Sequence, residues 1–402
     1  MTTLSLVTEQ AIATIDTLNV RADEILPTIA AGAAQRERDR LLPFDAVAQI
    51  AKAGFFTTRI PVRYGGSGGS VKDVIRLLIR IAAADSNVAQ ALRPGFGFVE
   101  GLLASSSEQA ETERERWFAR YLDGIVVGNA GWEVGGANGS ISARIVRDGD
   151  HYRATGSKYY STGSLYADWV SAVALDEEDQ PVSFILPRNR KGLELLDDFD
   201  AMGQRLTASG TTRLNNVQVL ADEIRTRTVE EGKRTIVTPF LQLFLAAVQA
   251  GIARNALNDA VAFANEHARP IKHSSASRSV DDPYVELSVG DISARAFTAE
   301  AVVLHAADSI DRAWAGDLDP HLVDQAAVDV AQAQYIAAES ALKAAELVFD
   351  VGGASTTGRG HNLDRHWRNA RTVANHNPRH WKASAVGSWQ LKGTPPPTSG
   401  LF

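Results

Sequence analysis

The chain predicts an α+β fold of three consecutive parts, and three observations predict it. Apolar residues recur at helical spacing from the start to about residue 118. The period then changes to two, with β-branched runs and a hairpin signal. From about residue 226 long Ala-rich helical stretches take over. The reading is an N-terminal helical domain over 1–118, a middle antiparallel β-domain over 119–225 and a C-terminal helical bundle over 226–402. A chain of 402 residues is long enough for two or three packed units.

The helical evidence starts with Ala11, Ile12, Ile15 and Leu18, and returns with Phe44, Val47, Ile50 and Ala51 before Gly54 stops that helix. Ile60 to Gly66 is a Pro/Gly-punctuated loop, and Val71 to Ala84 is a further helix carrying Ile75, Leu77, Leu78, Ile79 and Ile81. Ile125-Val126-Val127-Gly128 opens the β-region. Ile141 to Arg147 alternates, Asp148-Gly149 is a two-residue hairpin signal, and His151 to Thr155 returns. Trp169 to Leu175, Val182 to Leu186 and Thr211 to Leu220 add strands. Helices then run Val237 to His267, Tyr284 to Ala315, and from Pro320 to Asp350. Their alanines permit close helix–helix approach. The tail from Pro395 to Gly400 is expected to be extended.

Composition excludes several function classes. The apolar fraction of 45% is ordinary, and a net charge of −7 without a basic run gives no footprint for nucleic acid. Cysteine is absent, which removes disulfides, thiolate catalysis and zinc–thiolate sites. The first residues lack a basic segment followed by an apolar run, so a soluble cytoplasmic protein is expected. The most apolar stretch, Thr235 to Ala253, contains Pro239, Gln242 and Gln249, and reads as a buried helix rather than a membrane span.

The motifs carry more. Pro61-Val62-Arg63-Tyr64-Gly65-Gly66, Met202-Gly203-Gln204-Arg205-Leu206-Thr207-Ala208-Ser209-Gly210, the Val351-Gly352-Gly353 stop and the Arg-rich helix from Asp364 to Thr372 together resemble the acyl-CoA dehydrogenase family over nearly the whole chain. That resemblance implies helices, a middle antiparallel β-barrel and a C-terminal four-helix bundle, assembled as a homotetramer. The dehydrogenases often carry a catalytic glutamate in the loop after the Arg-rich helix. Here that loop reads Ala374-Asn375-His376-Asn377. A histidine in place of a carboxylate is similar to the flavin-dependent monooxygenase branch.

In that branch the resemblance assigns roles by position. Asn129 and Ala130, after the first strand, line the flavin ring, and an Asn amide can donate to a flavin carbonyl or a peroxide oxygen. In Gly156-Ser157-Lys158-Tyr159-Tyr160-Ser161-Thr162-Gly163, Thr162 bonds the flavin and Tyr160 enters the substrate pocket. Arg205, Thr207 and Ser209 belong to the next flavin-binding element. Arg269 meets the flavin phosphate across a subunit interface, as a planar guanidinium suits. Gly352, Gly353 and Arg371 complete the cofactor set, and Phe96, Phe98 and Phe199 join Tyr160 around the substrate. Phe349 stands where the dehydrogenases use a Gln on the adenosine of FAD, which favours FMN and leaves FAD open. His376, titrating near neutrality, tunes protonation of a flavin C4a-hydroperoxide. His376 and His380 are four apart, but Pro378 lies between them and no metal site is expected.

The implied activity is a two-component monooxygenase. Reduced FMN comes from a separate flavin reductase, and O2 oxidises a small sulfur-, nitrogen- or carbon-centred substrate. No membrane is involved. One departure is that the better-known members also carry a histidine in the helix reading Ala91 to Phe98, and this chain has none there. The alternatives are an FAD-dependent acyl-CoA dehydrogenase with Glu133 or Glu266 as base, and a non-catalytic flavin-fold binding protein.

Overall fold

The computed structural model describes residues 13–134, 140–225, 234–398 and 402. Ala11, Ile12 and the Ser399-Gly400 end of the tail, read above from sequence, lie outside the described residues.

The first layer is helical. α1 (Ile15–Asp39) starts at Thr14, whose hydroxyl accepts from Thr17 N at 3.2 Å. α2 (Phe44–Lys52) is followed by Gly54 at φ +83°, a left-handed turn that suits glycine. α3 (Val71–Ala84) opens on a capping box between Ser70 and Asp73. α4 (Ser86–Ala91) is capped by Asp85, and α5 (Arg93–Ala104) and α6 (Ala110–Leu122) complete the layer.

The sheet follows as β1 (Val127–Ala130), β2 (Arg144–Asp148), β3 (His151–Lys158), β4 (Trp169–Leu175), β5 (Pro181–Pro187), β6 (Leu193–Leu195), β7 (Thr212–Leu220) and β8 (Ile224–Arg225). The expected hairpin at Asp148-Gly149 is present, with Asp148 opposite His151 and Gly149 at φ +66°. Alternation is visible in β4, whose even-numbered residues Val170, Ala172 and Ala174 are buried.

The expectation of an antiparallel barrel needs correction. β1 pairs in parallel with β4, and Arg144 of β2 bridges to Leu175 of β4 in parallel, so the sheet is mixed. The path runs β6-β7-β3-β2-β4-β5-β8, and among the described residues no pairing joins its ends. The physical reason is a crossover. Between β1 and β4 the chain makes the β2–β3 hairpin and one further loop, and re-enters in the direction in which β1 left. Alternation identifies a strand but not its partner.

Three long helices close the fold: α7 (Val237–Glu266), α8 (Pro283–Ala315) and α9 (Pro320–Leu347), packed on one another. α10 (Asp364–Ala374) lies on α7 and α9, and α11 (Arg379–Lys392) on α9. α7 is long and apolar enough to cross a membrane, but 83% of its most apolar window is buried inside the protein, so it is a core helix. Residues 242–253 of α7 are buried without a break. Gly251 permits this, because a Cβ there would overlap Ala82 of α3, including its backbone carbon at 2.8 Å.

Gly251→Ala therefore tests the α3–α7 crossing. Helix propensity favours the alanine by about 1 kcal/mol, while forcing a methyl against backbone costs about 3 kcal/mol. A net destabilisation of about 2 kcal/mol is expected in urea unfolding, and an unchanged midpoint would show that the crossing relaxes freely.

Candidate functional site

Four segments converge where the helical layer, the sheet and the C-terminal helices meet. The first is the 159–164 loop after β3. Tyr160 sits there at φ +57°, a strained conformation for an aromatic residue. Gly163, at φ +74°, approaches the Ala91 carbonyl of α4 too closely to tolerate a Cβ. The end of β1 is tied to this loop by Asn129 N donating to Thr162 O at 3.1 Å.

The second segment is the 202–210 loop, which meets Thr162 through hydroxyls. Thr162 Oγ1 lies 3.0 Å from Ser209 Oγ, Ser209 lies 2.8 Å from Thr207 Oγ1, and Thr207 donates to Gln204 O at 2.9 Å. The same loop docks on the helical layer, with Leu206 N donating to Asn87 Oδ1 at 3.1 Å. It also docks on α10, where Gln204 N donates to Asn369 Oδ1 at 2.6 Å. Thus the Thr162–Thr207–Ser209 set, the first turn of α4 and α10 are one hydrogen-bonded unit. His376 follows α10 by two residues.

This edge combines open polar groups with apolar surface. The Asn129 side chain is half-buried and has no hydrogen-bond partner among the described residues, while Ala130 beneath it is buried. Trp132 is 44% exposed and Tyr160 53% exposed, and the Tyr160 ring lies edge-on to Phe199 with centroids 6.4 Å apart. A planar ring with polar edges fits such a surface: an amide and a hydroxyl for the edges, aromatic faces beside them.

Phe96 and Phe98 are placed differently from the expectation. They are only 3% and 7% exposed and stack in the core, Phe96 on Phe56 at 4.7 Å and Phe98 on Trp117 at 5.1 Å. Two residues apart, they leave opposite sides of α5, Phe96 toward Phe56 and Phe244 of α7 and Phe98 toward Trp117 and Tyr121 of α6.

His376 is exposed on the turn after α10. Crowding by neighbouring protein and then the Arg93 charge lower its pKa, against Asn377, which favours the cation. Solvent around the exposed ring weakens that shift, whose direction favours the neutral imidazole. The mooring is buried: Asn377 Nδ2 donates to Gln242 Oε1 of α7, and Gln334 Nε2 reaches the same oxygen at 3.3 Å. Sequence reasoning missed Arg93, Gln242 and Asn377. The available signal was cost, since a lone cation or amide in an apolar helix is expensive unless it is used.

The remaining cofactor candidates do not join the hydroxyl chain through hydrogen bonds among the described residues. Arg205 Nη1 turns to Glu37 O at the end of α1, 3.3 Å away. Arg269 is exposed after α7, and Arg371 is half-buried on α10. Gly352 packs against Phe263, and Gly353 turns the chain at φ +56°.

Glu133 is fully engaged. Lys158 Nζ reaches Oε1 at 2.5 Å, and Ser142 N and Ala143 N donate to its two oxygens at 2.8 and 3.1 Å. Burial pushes its pKa up, but these bonds outweigh that and hold it at about 2. Glu266 lies far along α7, in an outer groove with Val289 of α8.

Comparison with known proteins agrees in kind. The N-terminal domain model of acyl-CoA dehydrogenases matches residues 19–124 and the C-terminal domain model matches 243–380, together more than half of the chain. Dibenzothiophene monooxygenase of Rhodococcus qingshengii is 28% identical over 392 residues, covering 94% of this chain and 91% of the relative. FMN-bound TdsC from Paenibacillus sp. A11-2 superposes with a TM-score of 0.88 at 27% identity, covering 96% of this chain and all of TdsC. Methanesulfinate monooxygenase MsuC from Pseudomonas fluorescens gives a TM-score of 0.83 at 25% identity, with both chains fully covered.

The Glu133–Lys158 pair predicts a stability effect with a defined pH dependence. Glu133→Gln leaves the Lys158 ammonium buried without a counter-charge, a loss of about 3 kcal/mol at neutral pH. Because the folded pKa lies below the ordinary 4.5, the carboxylate's contribution is full above that pH and fades as pH falls toward 2. Urea unfolding of both proteins from pH 7 downward should show the gap narrowing below about pH 4.5. A constant gap would refute a charge-based role.

Proposed function

This chain belongs to the acyl-CoA dehydrogenase family, and on that premise we propose that it is a two-component monooxygenase fed with reduced FMN. The observation that carries the reading is His376: an imidazole on the turn after α10, with no described carboxylate within ion-pair distance of it. A dehydrogenase needs a carboxylate there to remove an acidic proton.

Reduced FMN, delivered by a separate flavin reductase, supplies two electrons, so that one oxygen atom of O2 passes to the substrate and the other leaves as water. The chain's residues do the rest. The Asn129 amide donates to a carbonyl of the ring edge. The Thr162 hydroxyl, held by Ser209 and Thr207, would hold the same edge. Tyr160 and Phe199 form the aromatic wall that keeps water away from the reacting oxygen. His376, as a neutral imidazole, would donate a hydrogen bond to the departing oxygen, and the proton that oxygen takes would come from solvent.

The substrate is a small molecule oxidised at sulfur, nitrogen or an activated carbon. Dibenzothiophene and methanesulfinate, named for two relatives, share a sulfur centre. Arg205, Arg269, Gly352, Gly353 and Arg371 form the far end of the cofactor site, and Phe349 favours FMN over FAD. The C-terminal helices act as a four-helix bundle of α7, α8, α9 and α11, through which a cytoplasmic homotetramer assembles. Exposed Tyr284, Leu287 and Phe297 on α8 support that association, because large apolar side chains on one helix call for a partner. The units remain 1–118, 119–225 and 226–402.

A dehydrogenase reading would require Glu133 or Glu266, and the first is engaged while the second faces an outer groove. An acyl-CoA panel added without oxygen should leave bound oxidised flavin unbleached, and bleaching would restore that reading. A protein that takes up neither oxidised nor reduced flavin would instead be a non-catalytic binder.

His376→Ala is expected to lower product formed per reduced FMN consumed by about 10²-fold, with hydrogen peroxide rising to match. Unchanged coupling would remove His376 from the mechanism. In the unaltered enzyme coupling should stay flat through about pH 6.5, where an ordinary imidazole titrates.

A further inference from the structure

Arg93 has no role in the reading above, and its surroundings are unusual for a cation. It opens α5 in a stretch where Leu92, Phe96, Phe98 and Val99 are all buried. Its one hydrogen bond among the described residues is from Nε to Leu241 O of α7 at 3.2 Å. No described carboxylate lies within salt-bridge distance. The terminal nitrogens of the guanidinium are thus left without a protein partner, although most arginines of this chain engage an Asp or Glu.

Geometry places this cation near the His376 turn. Leu241 and Gln242 are consecutive on α7: the first accepts from Arg93, and the second accepts from Asn377, the neighbour of His376. Arg93 and the His376 turn are therefore moored at one point on one helix, and Arg93 is close enough for its charge to act on the imidazole. The other cation acting on His376, Lys382, is occupied: its ammonium lies 3.5 Å from Gln242 Oε1 and 4.1 Å from the Phe402 ring centroid. No described Asp or Glu lies within ion-pair distance of His376, and Arg93 and Lys382 both act on it. One planar donor fork is left unspent there.

We propose that Arg93 is an anion anchor in the substrate recess, so that the molecule oxidised beside His376 carries a carboxylate, sulfinate or sulfonate group paired with its guanidinium. A planar fork suits a two-oxygen anion, and Arg93 is half-buried with its terminal nitrogens open to such a group. The flavin phosphate is the other possible anion. It is disfavoured because the reacting edge of the ring, where His376 is placed, is a full ribityl chain away from the phosphate. This inference rests on the oxygenase reading only for the word substrate. The anion preference is a binding property and is measured separately.

The test is calorimetric titration of the intact FMN-loaded protein with two probe pairs of matched size: methanesulfinate against dimethyl sulfoxide, and benzoate against benzamide. In each pair that binds, the anion is expected to bind at least tenfold more tightly than its neutral partner. Arg93→Gln should abolish that preference and Arg93→Lys should keep most of it, with FMN affinity unchanged in both. Equal or weaker binding of the anions, or no binding of either anion, overturns the proposal. So does an Arg93→Gln protein that loses FMN affinity while keeping its anion preference, which would give Arg93 to the flavin. Should Arg93→Gln fail to fold, the wild-type ratio and Arg93→Lys decide. Failure of the oxygenase reading would appear elsewhere, as reduced FMN consumed without any oxygenated product, and would leave the binding ratios standing.

Discussion

The structure depends on how α10 is held. Asp259 of α7 receives Arg365 Nη2 at 2.5 Å and His366 Nε2 at 2.8 Å, and the Arg365 and His366 side chains are almost fully buried. Burial alone would neutralise the carboxyl. The hydrogen bond and charge of His366, joined by Arg365, instead keep Asp259 ionised far below its ordinary range. A charge network of this kind contributes little net stability against an apolar alternative, but it has one geometry. It fixes the rotation of α10, and with it the place of His376 one turn beyond.

On its other side α10 carries the β-domain. Asn369 accepts from the Gln204 backbone, and Arg368 reaches buried Glu37 of α1 at 2.8 Å. Glu37 also accepts from Asn87, whose own oxygen takes Leu206 N. The network therefore passes from the C-terminal helices through the first helix to the loop that holds Thr207 and Ser209. Gly203 makes it possible, since a Cβ there would overlap the Arg368 carbonyl. Three parts of the chain meet at close range because small residues and satisfied polar groups, rather than apolar bulk, occupy the seam.

The consequence is a division of electrostatic labour. Carboxylates near the junction are engaged: Glu37 with Arg368, Asp85 with Arg36, Glu133 with Lys158. The His376 turn carries cations and amides instead. A neutral imidazole in a positive field suits oxygen-transfer chemistry, where a carboxylate would repel a developing anion.

Much of this was legible in the residues. The periods of 3.6 and 2 identify the elements, Asp148-Gly149 identifies its hairpin, and the loop from Ala374 to Asn377 shows that a carboxylate is missing, because these are local properties of spacing and side-chain chemistry. The parallel pairing of β1 with β4 was not legible, since alternation is the same for either direction. Nor were the core positions of Phe96 and Phe98, because one amphipathic helix offers an aromatic residue to whichever neighbour covers it. Arg93 and Leu241 lie 148 positions apart in the chain and meet only because α5 packs on α7. What the sequence determined alone was the order and type of the elements, and the kind of chemistry followed from the family its motifs resemble. Which groups face one another across α5, α7 and α10 was decided by tertiary packing, because charge and hydrogen bonding act through space and the chain order does not record those distances.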